Sequence, residues 1–211
     1  MNLCPLLTAY FWTILFLGTQ SSCSNVRMTI WDCCDFIDWR FATMSLLTEI
    51  SGVFVKIVFA SDMEIQLKRG LADRPAGRFN RVGQDALYLS PSEEAARVAM
   101  GGYVKEDDPG RVLLQYEVGG CKLYNLRHAG AANIYVQARQ SWRDVYAAGQ
   151  NPMSWDAADQ VRELNHVGLI DPSRRKPDLW HVTLFRWNES DAPNVKRIGL
   201  PVPITVEPDY R

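Results

Sequence analysis

Residues 86–102 read ALYLSPSEEAARVAMGG, and they carry the clearest local structural signal of the chain. The first five residues are apolar enough, with an aromatic residue at their centre, to predict a short strand. Ser90 then has the properties of a helix N-cap, with Pro91 as the first helical residue and Glu93 as the reciprocal partner in a capping box. The glycine pair predicts the helix end. The sequence thus predicts a strand that leads directly into a short, capped helix.

The pattern on either side of this stretch predicts more strands than helices. Predicted strands lie at residues 52–60, 111–118, 121–126, 169–173, 179–187 and 203–208, and predicted helices at residues 129–149 and 154–168. Several consecutive strands are joined by short turns, and two glycines at 119–120 predict a hairpin. This order favours an α+β fold with a mostly antiparallel sheet and flanking helices over a doubly wound parallel one.

Composition limits the class of protein. The 211-residue chain is 47% apolar and 22% charged, which is enough to form one sizeable core. Its formal net charge of −1 provides no basic surface for nucleic acid or for a membrane. The five cysteines show no spacing typical of a zinc site. We therefore predict a cytoplasmic protein with no metal, no direct nucleic-acid contact and no membrane attachment.

The first 50 residues differ from the rest, and we assign residues 1–50 as a poorly defined extension and residues 51–211 as the main domain. Residues 3–18 are uncharged and apolar, and small residues suitable for cleavage follow them. A signal peptide would make the protein a secreted binding domain. Against this, no lysine or arginine precedes the apolar segment. An upstream extension is the alternative.

Two residues on either side of a strand entry are candidates for ligand binding. Arg78 follows Gly77, where a missing side chain would allow a ligand close to the backbone, and its guanidinium could bind a phosphate or carboxylate in a bidentate way. A solvated loop arginine is the alternative. Tyr88 lies between two leucines of the predicted strand, so it faces either a cleft or the core.

Three further residues could join such a site. Ser173 ends a predicted strand and precedes three basic residues, of which Arg174 could bind a pyrophosphate; the alternative is a turn serine in a solvated loop. Lys56 lies inside the first strand and could face the same cleft or extend its amine to water. The three histidines are assigned structural roles because no GxSxG nucleophile motif accompanies them.

The order of these motifs, GRFN, then ALYLS, then a late GLIDPS followed by LF, resembles the RES domain, the toxin of a bacterial toxin–antitoxin system. The resemblance covers roughly residues 53–188. It implies a fold like that of ADP-ribosyltransferases, with a split sheet, and an enzyme that degrades NAD as a glycohydrolase or phosphorylase. NAD is then a substrate, and no cofactor is expected. The implied partner is an Xre-like helix-turn-helix antitoxin, and a homodimer is left open.

The resemblance assigns the family's arginine, tyrosine and serine to Arg78, Tyr88 and Ser173. The family's glutamate would stand eleven residues after the tyrosine, where this chain has Ala99. Glu106, beyond the predicted helix, is the first candidate to replace it. The alternative is a catalytically weakened protein that acts by binding a nucleotide or a partner.

Overall fold

The structure, a computed structural model, describes residues 46–208, which form six β-strands and four α-helices. The strands are β1 (Leu47–Phe59), β2 (Leu87–Leu89), β3 (Arg111–Asn125), β4 (Gly168–Pro172), β5 (Trp180–Leu184) and β6 (Val195–Ile204). The helices are α1 (Glu93–Met100), α2 (Ala132–Ala138), α3 (Arg143–Ala147) and α4 (Met153–Glu163). The apolar N-terminal segment at residues 3–18 lies outside the described residues.

The strands form one mixed sheet in the order β1-β3-β4-β5-β2, with β6 also paired to β3. Only β3 and β4 run parallel among these pairs. The prediction of an α+β fold with a mostly antiparallel sheet and flanking helices is confirmed. The sheet also curls: Val55 of β1 and Ser90, just after β2, exchange two backbone hydrogen bonds of 2.8 and 2.9 Å. This bridge closes the strands into a barrel-like ring.

The predicted hairpin at residues 119–120 is wrong, because β3 continues through both glycines as one strand. The register with β1 shifts between Ile50 and Gly52, so that Gly119 and Gly120 together face Ser51. The N–H of Gly119 donates to the carbonyl of Asn194 at 2.8 Å. The glycines therefore form a bulge in a long strand.

Helix α1 begins later than predicted. Its N-cap is Ser92, whose hydroxyl accepts a hydrogen bond from the N–H of Ala95 at 3.2 Å. The backbone of Ser90 cannot begin a helix because its N–H and carbonyl are both bonded to Val55. The chain therefore stays extended past Ser90, and the capping function moves two residues along.

Two other predicted elements differ in their limits. The helical segment at residues 129–149 divides into a short 3-10 turn, α2 and α3. The last strand lies earlier than predicted, because β6 pairs with the first half of β3 in the register Arg111 opposite Ile204. Its prolines, Pro201 and Pro203, are tolerated because this is an edge strand among the described residues.

The two faces of the sheet differ in what covers them. We call the face enclosed by the ring the inner face; it carries the main core, including Phe54, Leu89, Leu114, Val182 and Leu184. The opposite, outer face is covered by α2 and α4 beside β4 and β5, and by α1 beside β1. Each buried large apolar side chain contributes roughly 1.5–3 kcal/mol of transfer free energy. Among the residues described, no helix has the length and apolar character needed to cross a membrane.

Candidate functional site

A row of polar side chains crosses three adjacent strands on the outer face. Asp171 of β4 lies directly opposite His181 of β5, and Ser90 continues the row at the end of β2. The Ser90 Oγ lies 3.1 Å from the His181 Nδ1. Asp171 and Ser90 are buried, and His181 is half-buried. The row is therefore fixed by strand register, because side chains directly opposite each other in antiparallel strands are neighbours.

Arg78 is held at the Asp171 end of this row. Its Nη1 donates to the Asp171 carboxylate at 2.7 Å, and its Nε and Nη2 both donate to the carbonyl of Ala138, at 3.1 and 2.8 Å. The Arg78 side chain is 12% exposed and that of Asp171 is 3% exposed. Arg78 is thus not the solvated loop arginine of the sequence-based alternative. Within residues 46–208, three of its five N–H groups are bonded, and two remain for a ligand.

Tyr88 fixes the loop that carries Arg78. The Tyr88 hydroxyl accepts from the N–H of Phe79 and donates to the Asn80 side-chain oxygen, both at 2.8 Å. A Cβ on Gly77 would lie 2.6 Å from that hydroxyl, so this glycine makes room for Tyr88 rather than for a ligand. Burial raises the pKa of Tyr88 well above its ordinary value, and the phenol stays protonated.

Ser173 and Arg174 follow β4 on the same side of the molecule. The Ser173 Oγ accepts from the N–H of Lys176 at 3.2 Å, and the Ser173 N–H donates to Leu179, which closes the loop into β5. Arg174 Nη1 donates to the carbonyl of Gln140 at 3.3 Å. Burial, followed by the charge of Arg78, lowers the pKa of Arg174. Two positive side chains are therefore close enough to favour an anion between them.

Lys56 is separated from these residues. It shares the inner face with Phe54 and Val58, because alternate residues of a strand point the same way. Burial, followed by the charge of Arg74, lowers the pKa of Lys56 to about 8. The structure thus brings Arg78, Tyr88, Ser173 and Arg174 together and leaves Lys56 on the other side of the sheet.

The helix side of the site is formed by the end of α1 and the turn after it. The Tyr103 hydroxyl accepts from the Trp142 indole N–H at 3.1 Å, and Tyr103 lies near enough to Tyr88 and Arg174 to interact electrostatically with both. Ala99 is half-buried one helical turn before Tyr103. It therefore lies on the same side of this segment as Tyr103 and has no functional group of its own.

The structure places Glu106, the first candidate to replace the family's glutamate, on the protein surface. It is exposed, and it lines a cavity of about 390 Å³ together with Val206 and Pro208. A second cavity, of about 480 Å³, is lined by Trp180 and Arg127 among others. The lining of neither cavity includes Arg78, Tyr88 or Asp171.

Asp171 was not among the sequence-based candidates, His181 was assigned a structural role with the other histidines, and Ser90 was assigned to the helix cap. One signal for Asp171 was available: it stands two residues before Ser173 at the end of a strand and so shares its face. His181 had no such signal. Its neighbours across the sheet are Asp171 and Ser90, which lie 10 and 91 residues earlier in the chain.

Comparison with known proteins defines the class of protein. A sequence profile described as the RES domain matches residues 64–207, more than half of the chain. The chain therefore belongs to the RES domain family, and the resemblance drawn from its motifs is confirmed. The crystal structure of the M. tuberculosis MbcT-MbcA toxin–antitoxin complex contains a similar chain, with a TM-score of 0.48 and 15% identity. The similarity covers 75% of this chain and 87% of that one. No curated protein matches the sequence.

Proposed function

We propose that this protein is a toxin that degrades NAD by cleaving the nicotinamide–ribose bond, as a glycohydrolase or phosphorylase. We further propose that an Xre-like helix-turn-helix antitoxin neutralises it. Membership of the RES domain family supports the toxin role. NAD is a substrate in this proposal, and no cofactor is required.

One observation carries the proposal: the residues that match the family's arginine, tyrosine and serine converge on one region of the outer face. The Arg78–Asp171 ion pair joins the Arg78 loop to β4, which leads into Ser173. The Tyr88 hydroxyl binds the same loop through Phe79 and Asn80. Ser173 is far from Arg78 and Tyr88 in sequence, and the Arg78–Asp171 ion pair together with the sheet register brings it near them.

The charges suggest a role for each side chain. Arg174 and the two N–H groups of Arg78 that no described residue accepts form a positive region that suits the pyrophosphate of NAD. The Tyr88 ring, half-buried at the site, would pack against the nicotinamide or its ribose. Ser173 would orient the ribose if its hydroxyl, which accepts from the Lys176 N–H, donates to the ligand.

The chemistry requires little acid catalysis, because the leaving nicotinamide is already cationic in NAD. Cleavage instead develops positive charge on the ribose, which a nearby carboxylate stabilises. With alanine at position 99, Asp171 is the carboxylate within this cluster that we assign to that role. Its Oδ2 binds Arg78, and its Oδ1 has no hydrogen-bond partner in the described part of the chain.

The direct test is nicotinamide release from NAD by the purified full-length protein, with and without inorganic phosphate. We expect ADP-ribose in water and a phosphorylated ADP-ribose if phosphate is the acceptor. Arg174→Ala should raise the KM for NAD by about 10- to 100-fold, because a hydrogen bond to a charged group contributes about 1.5–3 kcal/mol. Arg186→Ala is the matched control. Arg186 follows β5 and donates to the carbonyl of Asn165, and it is not one of the residues assigned to NAD binding.

A cellular measurement complements this assay. Induced expression should deplete intracellular NAD, and co-expression of a helix-turn-helix antitoxin encoded beside the toxin should restore it. An unchanged NAD pool in cells that contain soluble, folded protein, together with no nicotinamide release in vitro, would contradict the proposed activity.

The second candidate function is nucleotide or partner binding without efficient turnover, and Ala99 favours it. A lost electrostatic group commonly reduces the rate by about 10²- to 10³-fold. Calorimetric binding of NAD by a protein that releases nicotinamide no faster than buffer would support this candidate over the first.

A further inference from the structure

We propose that His181 is the general base that activates the acceptor, whether water or phosphate. This inference rests on the proposed cleavage of NAD and adds a residue that neither the motif resemblance nor the family match assigns. Four observations carry it: the position of His181 in the polar row, its bond to Ser90, the charges beside it, and its partial exposure.

The bond to Ser90 fixes the imidazole. With Ser90 Oγ at 3.1 Å from Nδ1, the hydroxyl can accept from an Nδ1–H group and hold the ring in one tautomer. Ser90 itself is immobilised by its two backbone hydrogen bonds to Val55. In that tautomer Nε2 has a free lone pair, and no described residue donates to or accepts from it.

The charges beside the ring favour a neutral base that can accept a proton. Burial and the Arg78 charge disfavour the imidazolium, and the pKa of His181 is lowered from 6.5. Asp171, directly opposite on β4, acts in the other direction and would stabilise the imidazolium once it forms. Near neutral pH the ring is therefore unprotonated, with a carboxylate beside it that supports proton transfer.

The step balances without any further reactant. The bond between ribose C1′ and the nicotinamide nitrogen breaks, its electron pair neutralises the pyridinium, and nicotinamide leaves uncharged. The acceptor oxygen forms a bond to C1′ and its proton passes to His181 Nε2. Solvent then removes that proton, so that hydrolysis yields ADP-ribose, nicotinamide and one proton.

The test compares His181→Asn with wild type in steady-state NAD turnover from pH 5 to 8. Asparagine places an amide near the position of Nδ1 and so can keep a hydrogen bond to Ser90 while removing the base. We expect kcat to fall by at least about 100-fold, the lower end for general base catalysis, with little change in the KM for NAD. The wild-type kcat should decrease as His181 is protonated, at a pH below the ordinary imidazole pKa of 6.5, and this decrease should be absent from the variant.

His166→Gln is the matched control, because burial also lowers the pKa of His166, which stacks on Tyr124 away from the row. It should retain both the rate and the pH profile of wild type. Thermal melts check folding, and His181→Gln replaces the asparagine variant if that one unfolds.

The outcomes separate the two proposals. If the wild type turns over NAD and a folded His181 variant keeps a kcat within threefold of it, the role of His181 is overturned and NAD cleavage is left intact. Wild-type protein that binds NAD and releases no nicotinamide overturns both.

Discussion

The inner and outer faces of the same curved sheet differ in whether their charged side chains are paired. On the inner face Lys56 lies among apolar side chains, and no described residue forms a hydrogen bond or ion pair with its amine. On the outer face Arg78 and Asp171 are buried more deeply, and they bind each other. A buried lysine without a partner has a lowered pKa, because burial disfavours its charged form. A buried ion pair keeps both charges, because each partner stabilises the other and fixes its position. The outer face is thus the one organised to position charge.

The largest expected effect comes from breaking the outer pair. Arg78→Met should destabilise the protein by about 3–5 kcal/mol, because it leaves the Asp171 carboxylate buried without its partner. The double variant Arg78→Met/Asp171→Leu should recover much of that loss, since removing both charges also removes their desolvation cost. Urea unfolding of the single and double variants gives both values. A single variant within 1 kcal/mol of wild type would show that the pair is not a buried charge site.

This stability effect complicates the use of Arg78 as a probe of NAD binding. An Arg78→Ala variant loses both the ligand contact and the loop anchor, so its affinity must be read beside its melting temperature. The more exposed Arg174 is the cleaner probe.

Addition of a second carboxylate to the outer face is expected to have the next largest effect. Ala99→Glu should raise NAD turnover by about 10- to 1000-fold if the family's acid position is vacant, which is the range for one well-placed electrostatic group. The change costs little helix propensity. Nicotinamide release measures it, with a thermal melt as control. A folded variant no faster than wild type would indicate that Asp171 already supplies the charge.

Replacement of Lys56 on the inner face should raise the stability of the protein, whereas replacement of Arg78 on the outer face should lower it. Lys56→Met should stabilise the protein at pH 7 by about 1–3 kcal/mol, after allowance for partial exposure, because it removes an unpaired charge from an apolar face. The folded pKa of about 8 lies below the unfolded value of 10.5. Between these values the unfolded state holds more protons, so wild-type stability rises with pH and the advantage of the variant shrinks.

Urea unfolding at pH 7 and at pH 10 measures this difference. Lys122→Met, at an exposed position of β3, is the matched control and should show no such pH dependence. A Lys56 variant that is less stable than wild type at pH 7 would mean that the amine has a favourable role on the inner face.

The smallest expected effect separates the roles of Ser92, the N-cap of α1, and Ser90, which lies just before it. Ser92→Ala should cost about 1 kcal/mol of stability through loss of the N-cap. Ser90→Ala should leave the cap intact and instead remove the hydrogen bond to His181. Helix content by circular dichroism and the free energy of unfolding distinguish them. Equal loss of α1 in both variants would contradict the separate roles.

The sequence determined the local elements and the family. Short-range preferences predict strands from the β-branched and aromatic residues of β1 and from the Leu-Tyr-Leu triplet that forms β2, and they predict a helix end from the glycine pair after α1. The motifs around Arg78, Tyr88 and Ser173 identify the RES domain because they lie at fixed places along the chain. These features depend on neighbours in sequence, and the sequence alone is enough to find them.

Only the tertiary structure decided which residues share a site. The glycines of β3 form a bulge rather than a hairpin because β1 pairs with that strand on both sides of them. Ser90 is not part of the helix because its backbone N–H and carbonyl are both hydrogen-bonded to Val55. Lys56 lies away from Tyr88, and His181 lies beside Asp171, because sheet closure and strand register fix the face and the neighbours of each side chain. Those pairings depend on contacts between distant segments, and no local pattern in the chain specifies them.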